Sequence, residues 1–190
     1  PGDILVEGPG NFPPTLPGLF VTPGHTLALA GRNVAIVGGT VSAPAGRIEL
    51  GSSTQSTVRF VPTNNGYDLT FDSVQNAGGQ NAGGQNAGNV RLRQGGLLNA
   101  NGPGGGDIDI QSQTALIEQG SQVLTVTTGA TAGGNLRITA PESVTVRGAS
   151  PNGQTISRVG ADTTGTGTGG NLVVNTGTRR VRDSALLSAI

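Results

Sequence analysis

The sequence predicts an all-β solenoid, a parallel β-helix of short strands and glycine-rich loops, on three observations. The first is a recurring phrase. Gly133-Gly134-Asn135-Leu136-Arg137-Ile138-Thr139 reads as a turn followed by a strand, with Leu136 and Ile138 facing one way and Asn135, Arg137 and Thr139 the other. Versions return as Gly170-Asn171-Leu172-Val173-Val174, Gly106-Asp107-Ile108-Asp109-Ile110 and Gly88-Asn89-Val90-Arg91-Leu92, with weaker ones at Gly46-Arg47-Ile48-Glu49-Leu50 and Asp68-Leu69-Thr70-Phe71. The second is spacing. The copies anchor at 47, 68, 89, 107, 135 and 171, separations of 21, 21, 18, 28 and 36 residues; a unit of about 20 to 45 residues cannot bury its apolar side alone and stacks on its neighbours. The third is composition. Of 190 residues 34 are glycine and 3% aromatic, while the 34% that are apolar gather in short Val, Ile and Leu alternations, which suits a narrow aliphatic core and argues against disorder.

Residues 1–30 are expected to form an irregular lead-in, because Pro9, Pro13, Pro14, Pro17 and Pro23 exclude helix and discourage central strands. From Thr26 the pattern tightens into Leu27 to Leu29, Asn33 to Val37, Thr40 to Ala43 and Arg47 to Leu50, separated by Gly31, Gly38-Gly39 and Pro44-Ala45-Gly46. Thr57 to Val61 and Tyr67 to Phe71 are the most aromatic stretch. Over 76–87 the pentad Asn-Ala-Gly-Gly-Gln repeats; with nothing more apolar than alanine it cannot line a core, and it is expected to be an exposed, low-complexity inserted loop. Beyond it each unit has an anchor strand, a second such as Ser143 to Val146, a third such as Gln154 to Val159, and a glycine-threonine loop such as 163–170. Three strands per turn close a triangular coil whose like strands pair in parallel about 4.8 Å apart, and seven to nine such coils make a rod roughly 40 Å long. The whole of 1–190 is thus one segment. It stops inside a strand-like run at Leu186 to Ile190, and is read as an excerpt of something longer.

A resemblance carries the reading further. Leu19-Phe20-Val21-Thr22-Pro23-Gly24-His25-Thr26-Leu27-Ala28-Leu29, then Val41-Ser42-Ala43-Pro44-Ala45-Gly46-Arg47-Ile48-Glu49-Leu50-Gly51-Ser52, resembles the filamentous-haemagglutinin-like exoproteins of two-partner secretion systems, particularly the cyanobacterial type. The Gly-Gly-Asn-Leu repeats and Val181 to Ala189 are similar to theirs too. The resemblance implies a right-handed parallel β-helix, export through a dedicated outer-membrane transporter, and a place at the bacterial cell surface, often in adhesion to a receptor or glycan. No Asn-Pro dipeptide of the secretion domain occurs here, so the chain is expected to hold only that domain's end and the stalk after it.

The sequence offers little chemistry. Eleven arginines, with no lysine, balance eleven acidic residues, which leaves no electrostatic footprint for nucleic acid or an anionic membrane. Without cysteine there is no disulfide framework or thiolate metal site, and no apolar run approaches the roughly 18 residues of a membrane span. His25 is the single histidine, after Pro23-Gly24, and reads as a turn residue. Asp107 and Asp109 share one face of a strand, and enzymes that cut acidic polysaccharides on parallel β-helices use such clustered carboxylates; glycosidic cleavage wants two carboxyls about 5 to 10 Å apart. A companion histidine or lysine is missing. A calcium-binding nonapeptide fails at Asp107, which stands where glycine should be. Arg179, Arg180 and Arg182 read as the exposed face of a strand.

The function expected is therefore a structural or adhesive module without an active site, metal or cofactor. The alternative is a polysaccharide lyase or hydrolase on the same fold. Ice binding would need flat ranks of Thr-x-Thr, whereas these threonines crowd into glycine loops. Four geometric expectations accompany this reading. Anchor strands 47–50, 89–92, 107–110 and 135–138 stack in one parallel sheet; Val90, Leu92, Ile108, Ile110, Leu136, Ile138, Leu172 and Val174 are buried; helix is nearly absent; and Arg91, Asp109 and Arg137 form one outward column, with Asp109 in salt-bridge reach of an arginine.

Overall fold

A computed structural model of the chain describes residues 2–10, 18–54, 56–63, 66–73 and 88–190. In chain order the strands are β1 (Ile4–Glu7), β2 (Gly18–Phe20), β3 (Thr26–Gly31), β4 (Val34–Val37), β5 (Thr40–Ser42), β6 (Arg47–Ser52), β7 (Ser56–Thr63), β8 (Gly66–Ser73) and β9 (Asn89–Arg93). They continue as β10 (Leu97–Asn99), β11 (Asp107–Gln111), β12 (Thr114–Glu118), β13 (Gln122–Thr127), β14 (Leu136–Arg147), β15 (Arg158–Thr163), β16 (Leu172–Arg182) and β17 (Leu186–Ser188). There is no helix among the described residues, hence none long and apolar enough to cross a membrane. The protein is all-β, and among the described residues every strand pairing is parallel except the β7–β8 hairpin.

The parallel strands fall into three sets. The first runs β3, β6, β11, then residues 136–140 of β14 and 172–176 of β16. The second runs β1, β4, β9, β12, then residues 143–147 of β14 and 178–182 of β16. The third is β2, β5, β10, β13, β15, β17. From β3 onward the chain visits first, second and third set in that order, and repeats. β14 serves two sets because its register shifts between Ala140 and Ser143, where Pro141 has no N–H to give to a ladder.

Alternation decides which residues meet inside. Leu27, Ile48, Ile108, Leu136 and Leu172 lie one upon the next in register, as do Leu29, Leu50, Ile110, Ile138 and Val174. The second set adds Val34, Val90, Ala115 and Val144 beside Ile36, Leu92, Ile117 and Val146; the third adds Val41, Leu98, Val123 and Val159. All these columns belong to one hydrophobic cluster. Each fully buried aliphatic contributes roughly 1.5 to 3 kcal/mol, and a slip of one residue would turn a whole column to water. Of the eight residues expected inside, six are buried; Leu172 and Val174 are half-buried, because β16 is the last strand of its set.

The glycine that opens the recurring phrase has a spatial cause. A Cβ on Gly46, Gly106, Gly134 or Gly170 would lie 2.2, 2.3, 2.2 or 1.7 Å from the carbonyl oxygen of His25, Gly46, Gly106 or Gly134 respectively. None of the four has positive φ. They form a column at the corner before the first set, where each backbone rests on the one beneath, so close approach and not turn geometry selects glycine.

Several expectations need correction. The four anchor strands do belong to one nine-stranded sheet of parallel pairs, but strand 89–92, β9, joins it through β12 and the second half of β14, so only 47–50, 107–110 and 135–138 stack directly in the first set. The chain leaves the stack after β6 and rejoins it one set later, which spacing alone could not reveal. Asp68 to Phe71 is no anchor but half of the antiparallel hairpin, and Leu27-Ala28-Leu29 is the first-set strand that the anchors missed. Residues 1–30 are not irregular throughout: β1, β2 and β3 lie there, between the prolines. The third strand of the later unit starts at Arg158 and not at Gln154. Among the described residues the third set has six strands, which span about 25 Å at the usual strand spacing, against the seven to nine expected.

The low-complexity stretch 76–87 lies outside the described residues. Removing one of its pentads is expected to shift the melting temperature by no more than a degree or two, since closure entropy varies slowly with loop length. Differential scanning fluorimetry checks this, and a drop of many degrees would show that the segment is packed.

Candidate functional site

Two columns of mainly polar side chains run side by side on the outer face of the first set. In one, Arg47 and Asp107 are partners in register; next comes Asn135, whose backbone N–H and Nδ2 donate to Asp107 Oδ1 at 2.7 and 3.4 Å, and then Asn171, whose Nδ2 donates to Asn135 Oδ1 at 2.9 Å. In the other, two residues along, Glu49, Asp109, Arg137 and Val173 follow one another in register. Both columns exist because the alternation that sends Ile48, Ile108 and Leu136 inward sends their neighbours out.

The hairpin closes over one end. Leu69 is buried, its N–H donates to Glu49 Oε2 at 3.4 Å, and its carbonyl accepts from Gln111 Nε2 at 2.9 Å. The Phe71 ring sits where a side chain on Gly51 would be, 1.9 Å from an ideal Cβ. Arg47 ties the cover down: it pairs with Glu49, with Asp68 of the hairpin at 2.5 Å and with Asp107 at 3.1 Å. Glu49 is left only 1% exposed. Burial, aided by the Asp109 charge and opposed by Arg47, pushes its carboxyl up to about 7. Burial likewise raises Asp109, against the pull of Arg137 and Arg47.

Beyond the hairpin the same face opens into a groove of about 700 Å³, lined by Arg47, Asp68, Asp107, Asp109, Asn135, Arg137 and Asn171, with Val173 and Ala189 at its far side. Groups that donate and groups that accept hydrogen bonds face it together.

The expected charge column is half present. Asp109 and Arg137 are register partners, yet among the described residues they make no ion pair within 4 Å. The neighbour of Asp109 on its other side is Glu49. Arg91 stands in the second set, where its Nε donates to Glu118 Oε1 at 3.0 Å while Arg147 Nε and Nη2 donate to Oε2 at 3.0 and 2.6 Å. Glu118 is in register with Arg147 but two residues along from Leu116, the partner of Arg91, so it bridges the two arginines diagonally and is not the acid of the expected column. Burial works to raise the Glu118 carboxyl, but hydrogen bonds from Arg91 and Arg147 outweigh it and hold it below the usual range. Glu118→Ala, which leaves two arginines facing each other, is expected to cost about 1 to 2 kcal/mol after allowance for their partial exposure. Urea denaturation at low and high salt checks it: the loss should grow at low salt.

His25 follows the 23–24 turn, its Nδ1 2.9 Å from Thr22 Oγ1 and 3.1 Å from the Pro23 carbonyl oxygen. Arg179, Arg180 and Arg182 lie exposed on β16, away from the groove. No group of three or more His, Asp or Glu side chains able to hold a metal ion occurs among the described residues. Glu49, Asp68 and Glu118 were not singled out in the sequence. For Glu49 the signal was present, an outward acid in an anchor phrase, but its cover is an insertion folding back from later in the chain.

Fold and site together define an all-β protein of mainly parallel strands, carrying a polar groove beside a covered carboxylate pair. No family model, curated protein or solved structure matches the chain.

Proposed function

We propose that the chain is a segment of a secreted, surface-associated exoprotein of the filamentous-haemagglutinin-like kind, a right-handed parallel β-helix that acts in adhesion or as a stalk. The observation that supports this reading most is the repeated order of visits to three parallel strand sets, with aliphatic columns within and polar columns without. Its partners on this reading are the outer-membrane transporter of a two-partner system and a surface receptor or glycan. Antibody to the purified chain, applied to intact producing cells, should label them, and the soluble chain should compete with their attachment. Signal only after cells are broken open, with attachment unaffected, would sink the idea.

A second reading, a polysaccharide lyase or hydrolase, has one observation in its favour: Glu49 and Asp109 are neighbouring carboxyls of raised proton affinity. Against it, the Glu49 carboxyl lies under Leu69 and Arg47, where no glycosidic bond reaches it. New reducing or unsaturated ends released from polygalacturonate, and lost in Glu49→Gln and Asp109→Asn, would put the enzyme first.

A further inference from the structure

We infer that the groove beside the hairpin holds a neutral, hydroxyl-rich saccharide chain, gripped between the Asp109 carboxyl and the Arg137 guanidinium. The inference rests on the adhesive reading and names the class of its ligand.

Asp109 is only 8% exposed, yet its Oδ1 has no hydrogen-bond partner. That oxygen is shut from solvent, so a ligand in the groove meets the other carboxylate oxygen, which also makes no hydrogen bond with a described residue. Next to it in register, exposed Arg137 offers a five-donor fork and makes no hydrogen bond or ion pair with any described residue. Both line the groove. Arg47 differs, being committed to Glu49, Asp68 and Asp107, and so serves as wall. Asp107, Asn135 and Asn171 are joined into a rail of side-chain amides and carboxylate along the opposite edge.

The missing partner must donate to Asp109 and accept from Arg137, and a hydroxyl group does both. Charge decides among polymers that carry such groups. A uronate chain would bring carboxylates against Asp68, Asp107 and Asp109, with only Arg137 uncommitted to receive them. A polyamine would suit the acids but meet Arg137. A neutral sugar pays neither cost, and about 700 Å³ lies within the usual range for small-ligand sites, which hold a few sugar units. The polar rows repeat from strand to strand, so successive units of a chain lying along the stack each meet a new row.

Isothermal titration of the purified chain with neutral tetrasaccharides of glucose, galactose, mannose and N-acetylglucosamine, and with tetragalacturonate, tests this. At least one neutral tetrasaccharide should bind at millimolar concentration or below, more tightly than tetragalacturonate. Asp109→Asn and Arg137→Gln should each weaken it about tenfold, the effect of losing one charge-assisted hydrogen bond, while Arg179→Gln on the neighbouring set leaves it unchanged. Both groove variants remove charge without removing bulk, and unchanged melting temperatures would show that they fold. No neutral binding at millimolar concentration, preference for tetragalacturonate, or indifference to both variants overturns the proposal. Cell attachment separates it from the adhesive reading. If attachment persists in both variants, this groove is not the adhesive site; if sugars bind but attachment never depends on the chain, the site stands and the adhesive reading falls.

Discussion

Gly134→Ala is expected to destabilise the chain by about 3 kcal/mol or more, the upper part of the range for forcing atoms into a packed site. Its Cβ would lie 2.2 Å from the Gly106 carbonyl oxygen and 2.5 Å from the Gly106 carbonyl carbon. These are backbone atoms one residue before β11, and the oxygen also accepts from Thr125 Oγ1, so neither can swing away as a side-chain tip would. Gly2→Ala is the control, since nothing lies within 4 Å of a Cβ there. Urea unfolding of the three chains measures the difference directly. If Gly134→Ala and Gly2→Ala unfold together, the corner glycines are there for some other reason than close approach.

Stability is expected to fall as pH rises from about 5 to 8, and Glu49 is the main cause. Its carboxyl titrates at about 7 in the folded chain against an ordinary 4.5. Between those values the folded state keeps a proton that the unfolded chain has released, so deprotonation favours unfolding and stability drops with rising pH. The full interval corresponds to about 3 kcal/mol as an upper value, or roughly 5 to 10 °C in melting temperature. Asp109, also raised by burial, acts in the same sense. Glu118 acts oppositely: its lowered carboxyl supplies stability that is present above the ordinary value and lost as pH falls through the folded one. A maximum near pH 5 follows. Glu49→Gln, which stays neutral throughout, should flatten the decline and melt above the parent chain at pH 8. Equal slopes for the two chains would remove Glu49 from the account.

Much of this was legible because strand chemistry is local. Ile108 and Ile110, or Leu136 and Ile138, alternate with polar neighbours inside five residues, and that alone places them inside. The glycine before each of those strands was visible too, though its reason was not: a turn and a close contact with the preceding layer leave the same letter. What resisted reading was order in space. Val90 and Ile108 look alike in sequence, yet belong to different sets, because the excursion after Ser52 returns the chain past one corner. The covered site suffered for the same reason. Nothing near Arg47-Ile48-Glu49 says that Leu69 will fold back over it, and without that cover Glu49 would be an ordinary surface acid.

The excursion also says something about what the scaffold tolerates. The corner between the first and second sets is spanned elsewhere by Arg32 and Asn33, by Ser112 and Gln113, by Pro141 and Glu142, or by Gly177 alone. Between β6 and β9 it is spanned by residues 53–88. Lengthening a connection from two residues to 36 costs only about 2.5 kcal/mol of closure entropy, and Leu69 and Phe71 return part of that by packing down. β11 nevertheless pairs with β6, and β9 with β4 and β12, in unbroken register. In engineering terms the corner is a port: a foreign loop, epitope or small domain grafted at one of its two-residue versions would be displayed at the side of the stack, with the strand registers above and below left as they are.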